Sequence, residues 1–109
     1  MNSARSLFIA QRYSAMLLAP LVLIHLVLII FAVRNGLTAE EILARTNGSV
    51  LWFVYYLVFV LTVAVHAPIG VHNVLNEWTG LSVKLINVFC LLLAFLMLLT
   101  GLRAVFAVT

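Results

Sequence analysis

Residues 13–33 run for 21 positions without one Asp, Glu, Lys or Arg. At 1.5 Å per helical residue such a run reaches about 31 Å, enough to cross the hydrocarbon core of a bilayer. Water is absent there, so the backbone must satisfy its own polar groups, and a helix is the simplest way to do it. Two further apolar stretches follow, at about residues 50–75 and 83–106. The whole chain has 109 residues, 66% of them hydrophobic and 8% charged, with a mean hydropathy of +1.26. A soluble domain of this size could not cover so much apolar surface with so few charges. The expectation is an all-α integral membrane protein: one domain over residues 1–109, with three transmembrane helices at about 12–34, 50–75 and 83–106.

The first apolar run is longer than a signal-peptide core and lacks a small-residue cleavage site, so it is expected to be retained. Residues 1–12 form a short basic, mildly amphipathic lead-in. Pro20 lies inside the first span and should bend it mildly. Residues 34–49 are the one soluble-looking segment. Asn35-Gly36 reads as a helix stop, and Thr38 as the N-cap of a short surface helix over residues 39–45, with Glu40 and Glu41 in its first turn. Asn47-Gly48-Ser49 reads as the next turn. Trp52, Tyr55 and Tyr56 open the second span as an interfacial aromatic cluster, and Trp78 is a second belt candidate. Pro68 should bend this span, and residues 76–82 form the following turn. Asn87, Ala94 and Gly101 recur every seven residues in the third span, a small-residue face suited to close helix packing. Arg103 can snorkel at the far end.

The net charge of +3 is small and its basic residues are scattered, so no nucleic-acid surface is expected. The single cysteine, Cys90, sits in an apolar run and reads as a packing residue. With the N-terminus cytoplasmic, Arg5, Arg12 and Lys84 fall on one side and Arg34, Arg45 and Arg103 on the other. That tie leaves the positive-inside rule silent. The two arginines before the first span favour a cytoplasmic N-terminus in an inner (cytoplasmic) membrane.

Chemistry concentrates in His66-Ala-Pro-Ile-Gly70-Val-His72-Asn73-Val-Leu-Asn-Glu77-Trp78. At 100° per residue, Gly70 lies about 40° from His66, Asn73 about −20° and Glu77 about 20°. The same face continues back through Thr62, Phe59 and Tyr55, whereas His72 points about 240° away. An imidazole with a glycine one turn on, then an amide and a carboxylate, reads as a cofactor groove opening to a polar surface. His25 lies in the first span, about 18 Å from its start, and His66 about 14 Å from the end of the second. The two are expected at comparable depth on adjacent antiparallel helices. Histidines inside a membrane are costly and have partners. Neutral imidazole suits haem iron. The plainer alternative is a hydrogen bond from each ring to a neighbouring helix. Gly70 would let a flat macrocycle approach the backbone. At the same membrane face, Gln11, Arg12, Ser14 and Glu77 could serve a quinone: Arg12 and Ser14 as donors, Glu77 as a proton relay, and Trp78 as a donor or stacking surface.

These residues resemble a family, the membrane-anchor cytochrome b subunits of succinate dehydrogenase and fumarate reductase. Arg12-Tyr13-Ser14-Ala15 is similar to the start of that family's first helix. His66, Gly70 and Glu77 are similar to its haem-ligating His, the Gly four residues on and the acidic residue eleven on. The chain differs in carrying Phe8 and Gln11-Arg12 where large anchors have a Ser and a His-Arg pair. It also has His72-Asn73 for their Arg-His, and Trp78 where small anchors have a tyrosine. The resemblance implies a non-catalytic electron-transfer subunit of a succinate:quinone oxidoreductase. It implies docking to a flavoprotein and an iron–sulfur subunit, a sister anchor or second copy, b haem on His66, and a quinone (ubiquinone or menaquinone) near Arg12 and Ser14. His25 resembles the first-helix ligand of two-haem anchors, so a haem between His25 and His66 is a further expectation. The alternatives are a haem-free anchor or assembly subunit, or a small proton-coupled transporter subunit.

Overall fold

The computed structural model describes residues 4–109, so the first three residues of the basic lead-in lie outside it. Four helices follow in order: α1 (Ala4–Asn35), α2 (Ala39–Thr46), α3 (Val50–Trp78) and α4 (Val83–Val108). Three of them, α1, α3 and α4, are long and apolar enough to cross a membrane. The protein is an all-α, multi-pass membrane protein with a short helix between its first two spans, as its sequence predicts.

The spans are longer than the uncharged runs. Helix α1 begins at Ala4, eight residues before the expected start, because Arg5 and Arg12 are good helix formers and can point outward. Helix α3 continues to Trp78 instead of turning at residue 76; Asn76 and Glu77 are exposed on its last turn. Helix α4 runs two residues beyond 106. The helical assignment is unbroken through Pro20 and Pro68. The molecule measures 47 × 23 × 23 Å, and α1 alone rises about 46 Å, well beyond a hydrocarbon core of about 30 Å.

Helix α3 is central, packed against α1 on one side and α4 on the other. The α1 seam is read from Ser14, Leu18 and Leu21, buried at spacings of four and three. The α4 seam includes Ile86, Cys90 and Val105, all buried. Gly101 faces Val60 so closely that a Cβ there would stand 2.5 Å from Val60 Cγ1. The small residue is what lets the two backbones approach. Most other large apolar side chains point outward, Leu23, Val27 and Leu91 among them. In water that surface would aggregate; in a bilayer it is solvated by lipid tails.

The connection between α1 and α3 is fixed by local chemistry. Gly36 ends α1 with a φ of 135°, a region that only glycine enters freely, and its N–H donates to Ala32 O at 2.8 Å. Thr38 and Glu41 form a capping box: Glu41 N–H donates to Thr38 Oγ1 at 3.1 Å and Thr38 N–H donates to Glu41 Oε1 at 3.4 Å, with the Thr38 hydroxyl also donating to Glu41 Oε1 at 2.7 Å. Arg45 closes the loop by donating to Gly36 O at 2.9 Å, with its guanidinium over the Phe31 ring. The short helix extends one residue past the expected end, to Thr46. Thr46 is buried and donates to Val108 O at 2.5 Å, while Gly48 N–H donates to Thr109 O at 3.1 Å. Thus α2 is tied to the far end of α4.

Candidate functional site

The face Tyr55, Phe59, Thr62 and His66 of α3 does lie on one side of the helix, and α1 covers it. Tyr55 OH donates to Leu21 O at 2.7 Å, the Phe59 ring stands edge-on to His25 at 5.2 Å, and Thr62 is buried with its hydroxyl donated to Val58 O. Farther along, Ser14 Oγ lies 3.2 Å from His66 Nδ1. The bonding direction follows from the second partner. Ser14 Oγ also reaches Gln11 O at 3.0 Å, and a carbonyl can only accept. The one hydroxyl proton goes there, so His66 Nδ1–H donates to Ser14 Oγ. The ring is then the tautomer whose Nε2 keeps its lone pair, and Nε2 has no hydrogen-bond partner among the described residues.

Gly70, one turn on, does not open onto a groove. A Cβ there would meet Gln11 Nε2 at 3.3 Å, so the side-chain amide of Gln11 lies over it. The same amide leaves Gln11 Oε1 buried without a partner. Three polar side chains, Gln11, Ser14 and His66, are therefore gathered beside Gly70 in the α1–α3 seam. The remaining candidates are not gathered with them. Arg12, Asn73, Glu77 and Trp78 are all exposed, Trp78 at 83%.

His25 lies elsewhere. Its ring packs edge-on against Tyr56 and Phe59, and Nδ1 is buried without a partner. It lines two clefts of about 520 and 470 Å³ near α2. The expectation of comparable depth fails. His66 sits level with Ser14, and His25 is eleven residues along α1, about 16 Å away along the axis. Depths counted inward from the ends of uncharged runs mislead, because the helices overshoot those ends unequally. The pairing of Ser14 with His66 sets the vertical register instead. Two axial ligands of one iron must face each other across it, so a haem clamped by both histidines of one chain does not fit.

His72 forms a contact that the sequence reading passed over. Its Nε2 lies 2.8 Å from Asn87 Oδ1, joining α3 to α4. The signal was present in pieces: His72 points away from the His66 face, and Asn87 heads the seven-residue stripe of α4. Two polar groups at the edge of the α3–α4 contact are natural partners in an apolar bundle. Among the described residues, no group of three or more His, Cys, Asp and Glu could hold a metal ion. Comparison with protein-family models, curated proteins and solved structures finds no match to this chain.

Proposed function

We propose that the chain is a membrane-anchor subunit of a quinone-linked dehydrogenase of the succinate dehydrogenase/fumarate reductase type. In this reading it helps hold b haem through His66 and helps form a quinone site, in an inner membrane with its N-terminus cytoplasmic. The observation that supports it is the Ser14–His66 contact. The resemblance rests on two short motifs, one in α1 and one in α3, and their key residues meet at 3.2 Å although 52 positions separate them.

The residues suit an axial ligand. A metal-bound histidine usually donates its second ring N–H to a fixed acceptor, which sets the tautomer and the ring orientation. Ser14, itself fixed by Gln11 O, is such an acceptor. Haem bound there would supply one-electron chemistry. Gln11 would have to swing off Gly70 to admit a macrocycle edge, and no hydrogen bond to its Oε1 opposes that movement. Its buried, unpaired Oε1 gains from any donor that such a movement provides. The second axial ligand then comes from another chain, a sister anchor or a second copy. Arg12 and Glu77 are exposed, and in this reading they would meet the quinone or a docked iron–sulfur subunit.

The haem-free alternative has its own support. Ser14 already pairs with His66 Nδ1 and Gln11 fills the space beside Gly70, as a packing role requires. The test is the dithionite-reduced minus oxidised spectrum of the purified complex, for wild type, His66→Ala and His25→Ala. A b-type band lost in His66→Ala and kept in His25→Ala is expected. A wild type without a band, yet with quinone reduction intact, would sink the cytochrome role. Purification without a flavoprotein would sink the anchor role itself.

A further inference from the structure

The two clefts beside His25 are not accounted for by the site at His66, which lies about 16 Å away along α1. They share His25, Ile42, Thr46 and Tyr56, so they are two arms that diverge from one polar centre beneath α2. One arm runs between α3 and α4 past Val60 and Met97. The other runs between α1 and α3 past Leu28 and Trp52, and Arg45 stands on its wall. Each is large enough to bury a ligand and is lined mainly by apolar side chains.

Three polar features converge at this centre. Arg45 uses one guanidinium nitrogen on Gly36 O and lays one face over Phe31, which leaves its other N–H donors for a ligand. The His25 ring has no hydrogen-bond partner among the described residues; Nδ1 is sealed, while Nε2 is not. Tyr56 lines both arms. The two acidic residues of α2 stand outside the clefts, although the Glu41 carboxylate lies against Gly36, whose carbonyl receives Arg45, and so offsets part of the Arg45 charge. Glu41 is also committed to the cap of α2.

We propose that this site holds one anionic phospholipid. Its headgroup pairs with Arg45, an ester carbonyl accepts from His25 Nε2, and one acyl chain lies in each arm. The cation selects an anionic head, and two apolar arms on either side of one polar centre match a molecule with two tails. A membrane-soluble ligand with a single tail would leave one arm to bulk lipid.

The structure supplies a probe. Trp52 lines one arm, and the only other tryptophan, Trp78, lies at the opposite end of α3. The full chain carrying Trp78→Phe is placed in phosphatidylcholine nanodiscs containing a minor fraction of lipid with brominated acyl chains. Brominated phosphatidylglycerol is expected to half-quench Trp52 at about fivefold lower mole fraction than brominated phosphatidylcholine, the factor for one basic residue at an anionic surface. Arg45→Gln should abolish that preference, and Arg45→Lys, which keeps the charge, should retain most of it. Equal quenching by the two lipids would overturn the proposal, leaving ordinary boundary lipid. So would an undiminished preference in Arg45→Gln, or a brominated quinone that quenches Trp52 and displaces phosphatidylglycerol. None of these outcomes depends on haem or on an assembled complex.

Discussion

Replacing Gly101 by alanine should weaken the α3–α4 seam, and its effect can be separated from the general benefit of alanine in a helix. The new Cβ would stand 2.5 Å from Val60 Cγ1 and 3.0 Å from Cγ2. Carbon atoms rest at about 3.5–4.0 Å, so the helices must part by about 1 Å or Val60 must leave its rotamer. Valine in a helix is stiff about χ1, which closes the cheaper route. Overpacking of this kind costs about 1–3 kcal/mol. Gly70→Ala is the control. It sits in a membrane-spanning helix too, but its Cβ would meet only the mobile end of Gln11 at 3.3 Å. Any gain in helix propensity is common to both variants and cancels in the comparison. The assay is reversible unfolding of the purified chain in mixed micelles, followed by circular dichroism. Gly101→Ala should be less stable than Gly70→Ala by about 1–3 kcal/mol. Val60→Ala placed in the Gly101→Ala background should recover part of that loss, since it removes both obstructing methyls. Equal stabilities for the two alanine variants, or no coupling between positions 60 and 101, would refute the close-approach argument.

Other contacts make further predictions. Ser14→Ala removes the acceptor of His66 Nδ1 and should cost about 1 kcal/mol in the same unfolding assay. If the proposed function holds, it should also shift the reduction potential of the haem measured by redox titration. A double-mutant cycle with His72→Ala and Asn87→Ala should give a coupling near 0.6 kcal/mol, the typical worth of a hydrogen bond between membrane helices; zero coupling would mean that the 2.8 Å contact is energetically idle. Thr38→Ala should loosen α2 by about 1 kcal/mol, seen as faster amide exchange over residues 39–46 with the spans unaffected. Gly36→Ala should loosen it further, because a side chain there must adopt φ 135° and would strike the Glu41 carboxylate, whereas Gly48→Ala bears only the backbone strain of φ 76° and meets no side chain.

The fold was legible because a bilayer imposes a length. Residues 13–33 could hardly be anything but a span, and Asn35-Gly36 and Thr38 marked the following turn and helix through backbone rules that act locally. Helix ends were less legible. Arg5 and Arg12 tolerate helix as well as loop, and nothing nearby in sequence decides between them. The Tyr55–His66 face was readable from angular arithmetic alone. What covers it was not, since periodicity says that a face must be covered and not by what. An open groove was expected beside Gly70, where α1 supplies Gln11. Vertical register was the least accessible property. It depends on which residue of α1 meets which residue of α3, and uniform apolar surfaces carry no pattern that would specify it. The His72–Asn87 pair escaped for the same reason, as each partner was visible but their meeting was not.

The tie between α2 and the end of α4 bears on how the chain is made. Thr46 and Gly48 leave the ribosome some sixty residues before the carbonyls of Val108 and Thr109 that receive their hydrogen bonds. The first hairpin must therefore enter the bilayer with its connecting segment unfastened, and only arrival of α4 seats it. The loop then works as a latch that closes once α4 is in place, and a nascent chain stalled before α4 leaves Thr46 and Gly48 without these acceptors.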